Sequence, residues 1–141
     1  MPQNLTKTQD SDVESPLILV VEDNTVNVRL TCEMLRTGGY RTCIATDGQS
    51  GLRCARELQP ALIVADLQMP VLDGLSMARQ LKASADTAAI PILALTAHVR
   101  DEHRAAAAEC GCVGFLTKPI RLRTLLHEVA HVLQHSAVSR V

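Results

Sequence analysis

The chain has 141 residues, 47% of them hydrophobic, and a formal net charge of −1. That is enough apolar material for one domain with a buried core and no disulfide or metal staples. The balanced, interspersed charges exclude the basic footprint of a nucleic-acid binder or of a protein drawn to anionic membranes.

In chain order, the opening MPQNLTKTQDSDVES lacks the apolar run of a signal peptide, so residues 1–15 are expected to form a disordered tail. Leu17 to Val21 is continuously apolar and partly β-branched, the pattern of a strand buried on both faces of a parallel sheet. A helix follows: Val26, Leu30 and Met34 recur at helical spacing, Asn24 or Thr25 can cap its start, and Gly38-Gly39 can end it. The beat repeats with a strand from Arg41 to Thr46, a turn at Asp47-Gly48, and a helix from about Ser50 to Leu58 stopped by Pro60. A third strand spans Leu62 to Ala65, and after the loop DLQMPVLDG a helix runs from about Leu75 to Ala83. Ile92 to Leu95 is the fourth strand, and a helix opened by Asp101 and Glu102 and closed by Gly111 leads to a fifth, Val113 to Leu116. The last helix places Leu122, Leu125, Leu126, Val129 and Leu133 on one face. Alternation of this kind predicts an α/β domain, a doubly wound five-stranded parallel sheet with five helices, over residues 16–135, with 136–141 as a short C-terminal tail.

The five cysteines, Cys32, Cys43, Cys54, Cys110 and Cys112, are odd in number and form no CxxC pair. They read as reduced small hydrophobes of a cytoplasmic protein, and no segment has the apolar length to span a bilayer.

In a doubly wound sheet all strands end along one edge, and ligands bind beyond it. At that edge this sequence places Glu22 and Asp23, then Asp66, Thr96 and Lys118. Three clustered carboxylates raise one another's proton affinity unless a cation neutralises them, and magnesium suits an oxygen-only cluster of this kind. With the ion held, a carboxylate is free to attack phosphorus, and Asp66, presented singly by its strand, is the candidate nucleophile. The metal, Thr96 and Lys118 can then share the charge of a transferred phosphoryl group.

These residues sit in the segments LILVVEDN, LIVADLQMPVLDG, ILALTA and FLTKPI, and in that order they resemble the receiver domains of two-component response regulators over about Pro16 to Gln134. The resemblance implies a flavodoxin-like fold with strand order 2-1-3-4-5, in a bacterial signalling phosphoprotein. It implies that Asp66 is the phosphoacceptor and that Asp23, the Asp66 side chain and the backbone carbonyl of Gln68 ligate Mg2+, with Glu22 acting mainly through water. Lys118 would pair with the phosphoryl group, and the bond before Pro119 would be cis. Phosphorylation would draw Thr96 inward and Phe115, the only phenylalanine of the chain, would follow. The resulting switch would act at the face of the fourth helix, fifth strand and fifth helix. Gln68 and His98, two residues beyond Asp66 and Thr96, fall where this family tunes the rate of phosphoryl loss.

The implied partners are a histidine kinase or histidine phosphotransfer protein as donor and a downstream protein target. The expected output is protein binding with no enzymatic turnover of an outside substrate. Met1 and the non-globular tail favour a stand-alone regulator over the C-terminal receiver of a hybrid histidine kinase. A magnesium-dependent phosphatase with Asp66 as nucleophile is the rival reading, weakened because Gln68 stands where such enzymes place a second acid. A flavin carrier lacks both a phosphate-cradling loop and stacking aromatics.

Two motifs read as accidental. His127-Glu128-Val129-Ala130-His131 fits the zinc-protease pattern HExxH, yet His127, His131 and His135 fall opposite the Leu125, Val129 and Leu133 stripe and so face solvent. Cys110-Gly-Cys112 has no further ligands in reach, and Asp73 reads as a helix cap beside Gly74.

Overall fold

The computed structural model describes residues 15–67, 74–97 and 101–140, with only the backbone at 101–104 and 136–140. Five parallel strands, β1 (Leu17–Val21), β2 (Arg41–Ala45), β3 (Leu62–Asp66), β4 (Ile92–Thr96) and β5 (Gly114–Thr117), lie in the order β2-β1-β3-β4-β5. Between and after them come α1 (Thr25–Thr37), α2 (Gly48–Leu58), α3 (Gly74–Ala83), α4 (Asp101–Glu109) and α5 (Leu122–Arg140). The predicted doubly wound fold is therefore the observed one. The final helix runs through Arg140, so most of the segment expected as a C-terminal tail is helical.

Alternating side chains divide the core into two layers, because successive residues of a strand point to opposite faces. Leu19, Val21, Ile63, Ala65 and Ile92 face α2 and α3, meeting Leu52, Ala55, Met77 and Leu81. Ile18, Val20, Leu62, Val64, Leu93 and Leu95 face α1 and α5, meeting Val28, Cys32, Leu35, Leu125 and Val129. Helices on both sides explain why β3 and β4 are apolar at nearly every position: all five residues of each are buried. β2 and β5 lie at the sheet edges and keep several exposed or half-buried residues.

Each helix start and stop has a local cause. The Asn24 side chain accepts from the Asn27 N–H at 2.9 Å and caps α1. Gly39, at φ +91, reverses the chain beyond it in the left-handed region that glycine enters without steric cost. Asp47 caps α2, accepting from both the N–H and the hydroxyl of Ser50 at 2.8 Å.

The stripe expected on α1 was misplaced, whereas that on α5 held at Leu125, Val129 and Leu133 and failed only at its first residue. Val26 and Leu30 are 64% and 51% exposed, and α1 instead buries Val28, Thr31, Cys32 and Leu35. On α5, Leu122 is 41% exposed whereas Val132 joins Leu125 and Val129 in the core. In both helices the apolar residues cover more than one face, and spacing alone does not say which of them meets the sheet. Among the described residues no helix is long and apolar enough to cross a membrane.

Candidate functional site

Small shifts in the strand limits bring the chemistry to the sheet edge. β3 ends on Asp66, β4 on Thr96, and β5 on Thr117 immediately before Lys118. Register completes the alignment: Asp66 lies opposite Leu95, Thr96 opposite Thr117, and the Lys118 N–H donates to the Thr96 carbonyl at 2.7 Å. Glu22 follows β1 directly and is tied to the neighbouring strand through its own N–H, which donates to the Ala45 carbonyl at 3.0 Å.

Glu22, Asp23 and Asp66 each offer a carboxylate oxygen within 4.8 Å of the others. Glu22 and Asp66 are 1% and 5% exposed, whereas Asp23 is exposed, so the cluster is an acidic notch open to water on one side. Lys118 spans the two buried acids, its Nζ donating to Glu22 Oε1 at 2.9 Å and to Asp66 Oδ2 at 3.1 Å. The Asn24 N–H adds a third donor to Glu22, at 3.2 Å on Oε2.

Burial pushes the Glu22 carboxyl above its ordinary value of 4.5, against the pull of Lys118 and the Asn24 N–H, with Asp66 adding to the rise. For Lys118 burial works the other way and would lower its proton affinity. The hydrogen bonds to Glu22 and Asp66 outweigh that, and the ammonium is held above its usual 10.5. A positive charge thus offsets the repulsion that two neighbouring carboxylates would otherwise suffer. The donor set is all oxygen with a solvent side free for waters, which suits a hard divalent cation such as Mg2+ better than a soft one.

Of the other expected site residues, Thr96 is 1% exposed and sits beside the notch at the end of β4. Phe115 is half-buried on β5, opposite Ala94, and packs against Leu67, Ala94 and Ala107. It lies two residues along the same side of the sheet from the register position of Thr96. Gln68, His98, Asp73 and the expected disordered tail over residues 1–14 lie outside the described residues. The peptide bond between Lys118 and Pro119 is cis.

Sequence reasoning missed one positioning residue. Gly74 opens α3 so close to the end of β3 that a Cβ there would collide with the Asp66 carbonyl oxygen and lie 2.7 Å from the Leu67 Cα. Its N–H donates to the Leu67 carbonyl at 3.2 Å. The only signal in the sequence was the DG dipeptide itself, which reads equally well as an ordinary turn.

The accidental motifs fall away from the notch. His127, His131 and His135 are exposed on α5. All five cysteines are free thiols, and burial pushes Cys112 up to about 11, far from the thiolate character that metal binding or redox chemistry needs.

Residues 18–130 match the family model described as the response regulator receiver domain. The transcriptional regulatory protein PrrA of Mycobacterium tuberculosis is 36% identical over 125 residues, which are 89% of this chain and 53% of PrrA, so the chain spans about half the length of that relative. The polar-differentiation response regulator DivK of Brucella anthropi is 30% identical across 82% of this chain and 94% of its own. Among solved structures, the receiver domain of a sensor histidine kinase from Pseudomonas aeruginosa superposes with a TM-score of 0.74 at 35% identity. The match covers 86% of this chain and 96% of that one, which has a magnesium ion coordinated in its active-site cleft. A response regulator structure from Chloroflexus aurantiacus reaches a TM-score of 0.83 at 26% identity, covering 86% and 99%.

Proposed function

Because this chain belongs to the response regulator receiver domains of two-component signalling, we propose that its acidic notch accepts a phosphoryl group on Asp66 from a phosphohistidine. The observation that carries this reading is Lys118, whose ammonium lies 3.1 Å from the Asp66 carboxylate and 2.9 Å from Glu22. An oxygen of Asp66 attacks the phosphorus and the P–N bond to the donor imidazole breaks, its electron pair returning to the ring nitrogen. Glu22, Asp23, Asp66 and the Gln68 backbone carbonyl would hold Mg2+, which when bound neutralises charge on the phosphoryl oxygens. Lys118 and the Thr96 hydroxyl serve the same oxygens from the protein side.

The partners are a histidine kinase or histidine phosphotransfer protein upstream and a protein target downstream. Support for protein docking comes from α1, where Val26 and Leu30, three and seven residues beyond Asp23, are exposed. Phosphorylation draws Thr96 toward the new phosphoryl group, Phe115 turns into the space left, and the surface formed by α4, β5 and α5 changes its affinity for the target. The protein promotes its own phosphorylation and dephosphorylation and turns over no other substrate.

Incubation with a small phosphodonor such as acetyl phosphate and Mg2+, followed by intact-mass measurement, tests the reading. About one phosphoryl group per chain with slow release is expected, with none on Asp66→Asn and none after chelation of the metal. Undiminished labelling of Asp66→Asn overturns the site, and sustained release of phosphate over many turnovers points to a phosphatase.

A further inference from the structure

We propose that α5 carries a second metal site, distinct from the acidic notch, in which His131 and His135 together hold a late first-row divalent ion of the Ni2+, Cu2+ and Zn2+ class. The two side chains stand one helical turn apart on the exposed face of α5, and their ring centroids are 4.1 Å apart with planes at 46°. Residues four apart on a helix are surface neighbours, so both imidazoles reach a common ion without bending the backbone.

The hydrogen bond between the two residues is what points to a ligand. Nδ1 of His135 lies 2.9 Å from the carbonyl oxygen of His131. A carbonyl only accepts, so Nδ1 is the donor in this contact and Nε2 is the nitrogen left to face an ion. Metal-binding histidines are typically prepared in this way, one ring nitrogen donating to a backbone carbonyl or carboxylate while the other faces the metal. Imidazole nitrogen suits Ni2+, Cu2+ and Zn2+, whereas Mg2+ prefers the oxygen donors of the notch. The two sites therefore sort ions by donor chemistry.

Position on the helix separates this site from the HExxH pattern. Leu125 and Val129 turn the opposite face of α5 into the core, which leaves the histidines exposed to solvent. His127 lies eight residues before His135, about 12 Å along the axis at 1.5 Å per residue, so it cannot share an ion with His135. The remaining coordination positions fall to water.

The test uses the tag-free full chain with excess Mg2+ to occupy the notch and NiCl2 as the probe. Calorimetry reads affinity, and paramagnetic broadening of the histidine ring protons reads location. One Ni2+ per chain is expected, with the His131 and His135 resonances broadened first. His131→Ala and His135→Ala should each weaken binding by at least about tenfold, the lower end of what even outer-shell losses cost metal sites. His127→Ala should leave it unchanged. All three positions are exposed, and far-UV circular dichroism checks that each variant is folded. Equal affinity in His131→Ala, or an equal loss in His127→Ala, overturns the proposal, and neither result bears on phosphorylation of Asp66.

Discussion

Lys118 places its ammonium 2.9 Å from Glu22, a carboxylate 96 residues away in the sequence and only 1% exposed. It also reaches Asp66 at 3.1 Å, so one cation holds two buried acids from two strand ends. Lys118→Met keeps the side-chain length and removes the charge, leaving Glu22 and Asp66 facing each other. Because Lys118 is itself 22% exposed, the cost falls below that of breaking a fully buried pair, at about 1–3 kcal/mol. Denaturant unfolding measures it, and under the proposed function added Mg2+ recovers part of the loss while acceptance of phosphate stays impaired.

Gly74→Ala is expected to damage both stability and the site. The added methyl would run into the Asp66 carbonyl and the Leu67 backbone, and rigid backbone cannot step aside as a side-chain tip can. Overpacking of this kind costs about 1–3 kcal/mol. Gly39→Ala is the control: nothing lies within 4 Å of its Cβ, so the penalty comes from φ +91 alone. Its destabilisation should leave labelling of the folded protein unchanged, whereas Gly74→Ala should slow it.

Leu125 and Leu122 stand three residues apart on α5 with opposite fates. Leu125 is 0% exposed in the layer under α1 and α5, so Leu125→Ala should cost about 2–5 kcal/mol through lost transfer energy and a cavity. Leu122 is 41% exposed, and Leu122→Ala should stay within about 0.5 kcal/mol of the parent. Paired urea titrations decide it, and comparable losses would mean that the helix is turned differently.

Cys43 and Cys112 are both pushed up to about 11, chiefly by burial. Each folded thiol holds its proton more tightly than an unfolded one, whose ordinary value is 9.0. That contribution to stability is complete below the ordinary value and disappears as the pH rises through about 11. Alkylation of the native protein at pH 8 should therefore be slow at both positions and accelerate toward pH 11, read by peptide mass mapping. Rapid modification of either at pH 8 would contradict the burial assigned to it.

The alternation of strands and helices was legible from periodicity, since buried parallel strands are apolar throughout and each helix brings its own cap or stop. The grouping of polar side chains was legible as well, because in this topology every strand ends at one edge. Glu22, Asp23, Asp66, Thr96 and Lys118 could therefore be placed together from strand limits alone. Helix orientation was less legible: α1 offers Val26, Leu30 and Met34 as readily as Val28, Cys32 and Leu35, and only the position of β1 and β3 decides between them. Gly74 was missed for the same reason, since its role depends on how close α3 comes to the end of β3.

By itself, then, the order of residues determined the parallel sheet, its winding and the set of polar groups at its edge, all of which follow from local pattern and chain connectivity. Only the tertiary structure decided that Lys118 bridges Glu22 and Asp66, which face of α1 is buried, and how close Gly74 comes to the end of β3. Those outcomes depend on distances between groups brought together by packing, and no local pattern encodes such a distance.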